Sequence, residues 1–481
     1  MKAVIVLGLG FGDEGKGTIV DSLTRAMGSK LTVRFNGGFQ AAHNVYTETK
    51  NHTFSQFGSG TFAGADTLIG PEVVVNPLAM QVEAMTLQTK GVTDPLKKIW
   101  ISRECLVTTP FHKALNQIRE LSRGKAHGST GSGIGETVRA SYVHLTGANT
   151  ILRVKNVVGP TFNLVYSLRM LFEQMQSQCL ELIHDYELEG EAVNNAMAPF
   201  TMDDCINKLM QRYAEWAGLV NVVKTSDNSF QNRLRNETQP VIFEGAQGVL
   251  LDQVYGFHPY TTWSHTTDVP ARALLKSEDT VRCVGVTRAF FTRHGAGPFV
   301  TEHPDCSRLV EDDDNSHGQF QGSLRAGHLD LVALKYAIKC CYKVNALAVT
   351  HCDKLDRAEA KKVCIAYEGA DLLNYSAGEA SPEAFKFTKK LLRTKPLLTE
   401  PADLLAFVEQ ELKLPIIITS HGKTHKLKKY MGLQPDDAFV ALPKKSDVAQ
   451  RIVEMTADET TKPAAEVTPK PEAPAEPAVA A

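Results

Sequence analysis

The strongest constraint on how this chain can fold lies at its start, where the apolar run "AVIVL" (residues 3–7) leads directly into "GLGFGDEGKGT" (residues 8–18). A short apolar run bounded by glycine is typical of a buried strand. Gly10, Gly15 and Lys16 match the G-x-x-x-x-G-K pattern of a phosphate-binding loop, whose backbone amides surround phosphate groups at the start of a helix. The sequence therefore predicts a strand, a phosphate-binding loop and a helix in succession.

The match to this loop is partial. Gly17 occupies the position of the usual hydroxyl residue, and Thr18 follows one place later. Asp13 and Glu14 also lie inside the loop, although carboxylates among phosphates are repelled unless a metal ion or a proton transfer explains them. We therefore expect Asp13 to bind Mg²⁺ and to accept a proton from a bound substrate. On these residues alone, a tight turn that binds no ligand stays open as the alternative.

Beyond the loop, short β-rich runs alternate with helical stretches, which is typical of an α/β fold around a mostly parallel sheet. We predict one large domain of this architecture, with helical insertions, over residues 1–453. Residues 76–91 predict a helix, because Asn76 can cap it, Pro77 suits its first turn and Gly91 can end it. The runs that we assign to strands are "AVIVL", "KLTVRF", "QPVIFEG", "VRCVGVTRAFF", "KVNALAVTH" and "LPIIITS".

Composition narrows the possible functions. The chain has 481 residues, 43% of them hydrophobic, and a formal net charge of −2, so a large core can form. That charge indicates neither a nucleic-acid partner nor a membrane surface. No apolar run approaches the roughly 18–20 residues of a membrane span. The nine cysteines include no C-x-x-C pair, and we expect reduced thiols in the core and a cytoplasmic location.

A family resemblance extends over most of the chain. Five stretches, in the right order, resemble the signature motifs of adenylosuccinate synthetases. They are "GFGDEGKGTIVD", "VRFNGGFQAAHNV", "HGSTGSGIG", "VIFEGAQGVLLDQVYGFHPYTTWSHTT" and "GVTRAFFTRHGAGPFVTE". The resemblance implies a ligase that joins IMP to aspartate with GTP as co-substrate and Mg²⁺ as cofactor.

The resemblance also implies a mechanism and three catalytic residues. Asp13 would remove the N1 proton of the purine, and the 6-oxygen would attack the γ-phosphate of GTP to form a 6-phosphoryl intermediate. An amine would then displace the phosphate. His43 would stabilise charge on the transferred phosphoryl group, and Gln247 would orient the 6-oxygen.

For GTP, the resemblance implies a carboxylate, Asp353, that accepts two hydrogen bonds from guanine. His351 and Cys352 replace a Lys-Leu pair of the family. Mg²⁺ would be held by Asp13 and by the backbone carbonyl of Ala42, which replaces a glycine. The implied GTP-binding residues are Gly12, Asp13, Glu14, Gly15, Lys16, Gly17, Thr18, Ala42, His43, Asn44, His351, Cys352, Asp353, Ser420, His421 and Gly422.

For IMP, the resemblance implies that the hydroxyls of Thr130 and Thr262 bind the monophosphate. Arg139 would correspond to the family arginine that reaches the IMP of a neighbouring subunit, so a homodimer is expected. The implied IMP-binding residues are Asp13, Lys16, Gln40, His43, Thr130, Arg139, Gln247 and Thr262.

The sharpest departure from the family lies in the amino-acid loop, "FQGSLRAGHLD" (residues 320–330), which keeps only one arginine, Arg325. His294 replaces a family valine beside the same pocket. The expected amino-acid-binding residues are His294, Gln321, Gly322, Ser323 and Arg325.

Three alternatives therefore stay open at this point. The amine donor could differ from aspartate, or the acceptor could be another purine monophosphate such as dGMP. The chain could also be a nucleotide-binding paralogue without catalysis. Retention of Asp13, Lys16, His43 and Gln247 argues against this last alternative, because a binding protein needs no base.

The C-terminal segment, residues 454–481, is rich in Ala, Pro and Glu, and we predict that it is disordered because it cannot bury enough apolar surface to fold. Removing residues 456–481 should leave turnover and melting temperature nearly unchanged. A drop of several degrees in the melting temperature of the truncated protein would contradict this prediction.

Overall fold

A computed structural model of the chain describes residues 1–123, 129–142, 151–224, 228–310, 317–318, 322–375, 378, 380–431 and 440–441. Two sequence predictions, the binding residue Gln321 and the disordered segment 454–481, lie outside these residues. The proposed boundary at residue 453 lies outside them as well.

The described strands are β1 Lys2–Gly8, β2 Leu31–Arg34, β3 His43–Tyr46, β4 Asn51–Phe54, β5 Asp66–Ile69, β6 Val74–Val75, β7 Ile99–Ser102, β8 Leu106–Val107, β9 Asn221–Val223, β10 Val241–Glu244, β11 Thr280–Arg288, β12 Phe291–His294, β13 His317–Gly318, β14 Gly322–Gly327, β15 Leu329–Asp330, β16 Ala346–Thr350, β17 Val363–Glu368, β18 Lys395–Thr399, β19 Ile416–Ser420, β20 Lys428–Tyr430 and β21 Val440–Ala441.

The described α-helices are α1 Lys16–Ala26, α2 Pro77–Thr89, α3 Pro110–Ser122, α4 Ile134–Tyr142, α5 Val154–Val157, α6 Thr161–Asp185, α7 Glu191–Thr201, α8 Cys205–Ala217, α9 Ser229–Arg235, α10 Val269–Ala273, α11 Leu331–Cys340, α12 Pro382–Leu391 and α13 Leu404–Leu412. Short 3₁₀ helices lie at Ser59–Ala63, Pro95–Lys98, Val249–Leu251, Pro304–Leu309, Cys352–Lys354, Ala358–Ala360 and His425–Leu427.

The central sheet has the strand order β20-β19-β16-β11-β1-β10-β2-β5-β7-β9, with β21 beside β11. The pairs from β19 to β9 are all parallel, and only β20 and β21 join antiparallel among the described strands of this sheet. The six runs assigned to strands from the sequence supply β19, β16, β11, β1, β10 and β2, which are consecutive neighbours. The predicted α/β fold with a mostly parallel sheet is therefore confirmed.

Burial explains why these runs form the centre of the sheet. After its first residue, β1 is buried along its whole length, as expected for a parallel strand with both faces covered. The helical insertions lie mainly between β8 and β9, where α3, α6, α7 and α8 pack on one another around buried Tyr213 and Trp216. The hydrophobic cluster of this helical layer also includes Ile69 of β5 and Ile99 and Ile101 of β7, so the layer packs against that part of the central sheet.

Helix α2 forms as the sequence predicts. The side chain of Asn76 accepts hydrogen bonds from the backbone amides of Leu78 and Ala79, and Pro77 occupies the first helical position. Gly91 follows the helix with φ of 83°, a conformation that glycine adopts without strain.

All nine cysteines lie among the described residues, and none of them forms a disulfide. Burial raises the pKa of several of these thiols, including Cys179 to about 12 and Cys306 to about 11. No helix in the described part of the chain is long and apolar enough to cross a membrane.

Candidate active site

A cavity of about 650 Å³ lies at the carboxyl edge of the parallel sheet. Its walls are built from the segments that follow β1, β2, β10, β11, β16 and β19, together with parts of α3 and α4. Open α/β sheets bind ligands at this edge, because successive loops converge there. The volume lies within the usual range for cavities that enclose small molecules.

The two carboxylates of the glycine loop have different surroundings. Glu14 is 3% exposed, and its Oε1 accepts hydrogen bonds from the backbone amides of Gly10 (3.0 Å) and Gly12 (2.8 Å). Its Oε2 forms a 2.7 Å ion pair with Nζ of Lys16. Glu14 therefore braces the loop from inside, and its side chain does not line the cavity where the resemblance had placed GTP.

Asp13 points the other way. Its side chain lines the cavity and is 29% exposed, while Nε of Arg288 donates a 2.6 Å hydrogen bond to its backbone carbonyl. Its backbone has φ of 59°, and Gln247 and His351 on the same cavity wall have φ near 60°. Left-handed backbone at residues other than glycine costs roughly 1–3 kcal/mol and clusters at functional sites.

The missing hydroxyl of the phosphate-binding motif has a steric cause. A Cβ atom at Gly17 would lie 2.7 Å from Cβ of His43, so a serine or threonine cannot occupy this position without moving His43. The close approach brings His43 against the first turn of α1. Thr18 lines the cavity, and its hydroxyl donates to the carbonyl of Lys423 at 3.0 Å.

His43 is held by a buried carboxylate that the sequence analysis missed. Its Nδ1 lies 2.5 Å from Oε1 of Glu244, the last residue of β10, which is fully buried. Glu244 also accepts hydrogen bonds from the backbone amide of Ser59 at 2.9 Å and from its hydroxyl at 2.5 Å. The sequence indicated this residue only by a charged side chain at the end of an otherwise apolar strand, in "VIFEGAQG".

The electrostatics of this pair favour an ionised Glu244. Burial alone would raise the pKa of Glu244, but the hydrogen bond and charge of His43, together with the charge of Arg34, lower it to about 2. Burial lowers the pKa of His43, and the Glu244 carboxylate opposes that effect. The pKa of His43 nevertheless stays below its ordinary value, so the resting ring is neutral, and Glu244 reduces the cost of any positive charge that the ring gains.

The part of the cavity where the resemblance places the purine offers hydrogen-bond acceptors. Nε2 of Gln247 donates to the hydroxyl of Thr262 at 2.5 Å, which fixes the orientation of the amide. The Oε1 atoms of Gln247 and Gln40 are buried and have no hydrogen-bond partner among the described residues. Buried polar atoms without partners are rare, so unmet acceptors on a cavity wall indicate a ligand with N–H or O–H donors.

The nucleotide end contains most of the residues expected there. His351, Asp353, Ser420 and Gly422 line the cavity. Burial, followed by the positive charges of Arg288 and nearby lysines, lowers the pKa of His351. Its ring is therefore neutral and suited to packing against a base.

Two residues expected at this end have side chains that do not line the cavity. The thiol of Cys352 is buried and donates to the carbonyl of Val349 at 3.3 Å. The ring of His421 lies 3.1 Å from the hydroxyl of Thr419. In contrast, Lys423 lines the cavity with its Nζ 5.0 Å from the ring centre of Tyr46, and the sequence analysis named neither.

The opposite end of the cavity contains the predicted hydroxyls and two unpredicted arginines. Thr130 and Thr262 line it, and the hydroxyl of Thr130 lies 2.6 Å from that of Ser132. Arg119 on α3 and Arg123, the residue that follows α3, line the same end, and each is paired with a buried glutamate. The sequence did contain an indication of this site, because two arginines four residues apart, a helical spacing, lie just before "HGSTGSGIG".

Arg139 is exposed on α4 and does not line this cavity. Its expected contact with a neighbouring subunit stays a prediction.

On the amine side, Arg325 already holds a carboxylate. Its Nε and Nη2 bind Glu302 at 2.9 and 2.5 Å, and its Nη1 donates to the carbonyls of Gly295 and Gly297. Only one of its five N–H groups has no acceptor among the described residues. Gly322 and Ser323 open strand β14, next to Gln321, which is not described.

His294 lies in the cavity rather than beside Arg325. It ends β12, and its Nε2 is 3.3 Å from Oδ2 of Asp13. The structure thus brings His294 together with the predicted base, and places the guanidinium of Arg325 against Glu302.

No group of three or more His, Cys, Asp or Glu side chains in the described part of the chain could hold a metal. The expected donors for Mg²⁺, the carboxylate of Asp13 and the carbonyl of Ala42, both belong to residues that line the cavity. Mg²⁺ is usually bound by one or two protein oxygens, with phosphates and waters as the other ligands. This donor set therefore fits an ion shared with a bound nucleotide.

Comparisons with known proteins agree with this geometry. The family model described as adenylosuccinate synthetase matches residues 5–427. An adenylosuccinate synthetase of Stenotrophomonas maltophilia (strain R551-3) is 34% identical over 375 residues, which cover 76% of this chain and 81% of the relative. One of Aliivibrio fischeri (strain ATCC 700601 / ES114) is 32% identical over 409 residues, 82% of this chain and 86% of the relative.

Two solved structures share the fold. A fully ligated adenylosuccinate synthetase of Plasmodium falciparum has a TM-score of 0.67 and 22% identity, covering 89% of this chain and 99% of its own. A succinoaminodeoxyadenylate synthetase of cyanophage S-2L, bound to dGMP and dATP, has a TM-score of 0.54 and 14% identity, covering 90% and 96%. The match of the family model to residues 5–427, with curated relatives above 30% identity, shows that this chain belongs to the adenylosuccinate synthetase family.

Proposed function

We propose how this cavity carries out the reaction of its family. The chain is a GTP-dependent ligase that joins L-aspartate to IMP and gives adenylosuccinate, a step of purine nucleotide biosynthesis. The observation that supports the assignment of roles is that Asp13, His43 and Gln247 all line the same cavity, beside the loop that Glu14 holds in shape.

Asp13 acts first, as a general base. Its carboxylate takes the proton from N1 of IMP, and the electrons move to the 6-oxygen, which attacks the γ-phosphorus of GTP. A bond from the 6-oxygen to phosphorus forms, and the bond from phosphorus to GDP breaks. The neutral amine of aspartate then forms a bond to C6, the bond from C6 to the 6-oxygen breaks, and the proton released by the amine leaves with the phosphate.

His43 and Gln247 serve the same transfer. His43 donates a hydrogen bond to the phosphoryl group as its charge changes, and Glu244 stabilises the charged imidazole. Gln247 is fixed by Thr262 and faces the purine.

Asp13 and the carbonyl of Ala42 would hold Mg²⁺, which neutralises phosphate charge when it is bound. Thr130 and Thr262 bind the monophosphate, and Asp353 binds guanine. We also propose a homodimer, with Arg139 contributing to the partner's site, and a cytoplasmic location that suits nine thiols without disulfides.

The experiment that tests the function measures phosphate release from GTP with IMP and Mg²⁺, with aspartate added or withheld, and identifies the product by mass. Adenylosuccinate should form only when aspartate is present. Parallel reactions with dGMP test the alternative acceptor, because the cyanophage protein of similar fold is bound to dGMP. If phosphate release and product were both absent with all of these substrates, the result would favour the alternative of a nucleotide-binding paralogue without catalysis.

Asp13→Asn should lower kcat for adenylosuccinate formation by roughly 10²–10⁴-fold, because the amide keeps the shape of the side chain and removes the base. The rate is measured at saturating IMP, GTP and aspartate. If the variant kept more than a tenth of the wild-type kcat, Asp13 would not be the base.

Glu244→Gln should lower kcat by about 10- to 150-fold, because His43 loses a charge-assisted partner while its burial is unchanged. Ser59→Ala is the matched control, since it removes a neutral hydrogen bond from the same carboxylate and should cost about 10-fold or less. Rates are compared with KM for GTP and with melting temperatures. A Glu244→Gln effect confined to KM for GTP would refute the proposed support of His43.

Arg325→Ala should raise KM for aspartate by about 10- to 150-fold, because we propose that the substrate carboxylate replaces Glu302 on this guanidinium. Arg325→Lys keeps the charge but not the planar fork and should recover only part of the loss. Initial rates are measured over a range of aspartate concentrations. Unchanged aspartate kinetics in Arg325→Ala would show that the carboxylates are held elsewhere.

A further inference from the structure

Arg293, on β12, is a buried guanidinium that no described carboxylate neutralises. The residue is 2% exposed and lines the cavity, and no ion pair among the described residues includes it. Its hydrogen bonds go to backbone carbonyls: Nε donates to Ala296 at 3.1 Å, Nη1 to Pro298 at 3.0 Å and Nη2 to Tyr260 at 3.4 Å. A buried charge is costly unless an opposite charge pairs with it, so this guanidinium indicates an anionic ligand.

The guanidinium of Arg293 lies between two other residues of the cavity wall. It is 4.3 Å from the ring centre of Phe11 and donates to the carbonyl of Tyr260, and both of these residues line the cavity. The next residue along β12, His294, has its Nε2 3.3 Å from Oδ2 of Asp13. Arg293 therefore lies on the side of the cavity that contains the proposed base, where the amine donor has to approach the purine.

Arg325 lies directly opposite Arg293 in the pairing of β12 with β14. Side chains of directly opposite residues in antiparallel strands lie on the same face of the sheet. The two guanidiniums bind alternate backbone carbonyls of residues 295–298, the first and third through Arg325 and the second and fourth through Arg293. They therefore flank one short loop, and Ala296 of that loop lines the cavity.

The two arginines differ in how their charge is compensated. Arg325 forms an ion pair with Glu302, whereas Arg293 has only carbonyls and an aromatic ring around it. Burial, followed by the charge of Arg325, lowers the pKa of Arg293 to about 9. A negative group placed beside Arg293 would relieve both effects, because it would replace lost hydration and offset the neighbouring positive charge.

We propose that Arg293 binds one carboxylate of the amino-acid substrate and that Arg325 binds the other, so that the amine donor is a dicarboxylic amino acid. The inference rests on the proposed function and adds a binding residue to it. Two of the five N–H groups of Arg293 have no acceptor among the described residues, and charged N–H groups bind carboxylate oxygens strongly. The amino-acid loop supplies one arginine, and a neighbouring strand supplies the second.

The test compares succinate, which has two carboxylates, with succinamate, in which an amide replaces one of them. Dissociation constants are taken from the rise in melting temperature with ligand concentration, in the presence of IMP and GDP, so that they do not depend on turnover. The unmodified protein should bind succinate at least about 10-fold more tightly than succinamate. If Arg325 were the sole cation of the site, succinamate would lose little, because its one carboxylate would bind there.

Two variants identify the second cation. Arg293→Gln keeps a hydrogen-bonding group but removes the charge, so KM for aspartate should rise by about 10- to 150-fold and the preference for succinate should fall to within about 3-fold. Arg293→Lys keeps the charge but cannot bind three carbonyls in the same way, and it should retain a preference of about 5-fold or more. KM for IMP and GTP should stay within about 3-fold of wild type in both variants.

The inference is overturned if the unmodified protein binds the two ligands equally. It is also overturned if Arg293→Gln weakens both ligands to the same extent, or if folded Arg293→Lys shows no preference, because Arg293 would then serve only to hold the loop. Failure of the proposed function is a separate result, since it would appear as absence of adenylosuccinate formation by the unmodified protein, whatever the preference for succinate.

Discussion

The buried carboxylate of Glu14 is the interaction on which the rest of the site depends. It accepts hydrogen bonds from the backbone amides of Gly10 and Gly12 and forms an ion pair with the ammonium of Lys16. With the loop closed in this way, α1 starts at Lys16, and Asp13 is turned outward at the carboxyl edge of the sheet. A loop with the pattern of a phosphate-binding loop can therefore carry two carboxylates, because one pairs with a lysine inside and the other faces the cavity.

A second buried carboxylate connects distant parts of the chain. Glu244 joins the end of β10 to His43 and to Ser59, each at least 185 residues away in sequence. Buried charges are tolerated only when their hydrogen bonds are satisfied, and Glu244 has three donors. The contacts that satisfy this buried charge also orient the imidazole of His43 toward the cavity. The Glu244 carboxylate therefore serves both the stability of the fold and the proposed role of His43.

The sequence predicted the fold and much of the cavity wall. Six apolar runs gave the six adjacent central strands, because parallel strands buried on both faces must be apolar throughout. It assigned the base to Asp13 but also placed Glu14 against GTP, because only the folded backbone shows that the Glu14 carboxylate turns inward to Gly10, Gly12 and Lys16. Glu244 was missed because its partner is 201 residues away. For Arg325, the sequence indicated a carboxylate partner, but only the folded chain shows Glu302 already bound to it.

The central claim is that Asp13 and His43 promote transfer of the γ-phosphoryl group of GTP to the 6-oxygen of IMP, so that this oxygen leaves as part of inorganic phosphate. The most direct measurement uses IMP labelled with ¹⁸O at the 6-position, together with GTP, Mg²⁺ and aspartate, and follows the label by mass. The account predicts one ¹⁸O atom in each phosphate released and adenylosuccinate free of the label. Unlabelled phosphate, released while adenylosuccinate forms, would contradict it.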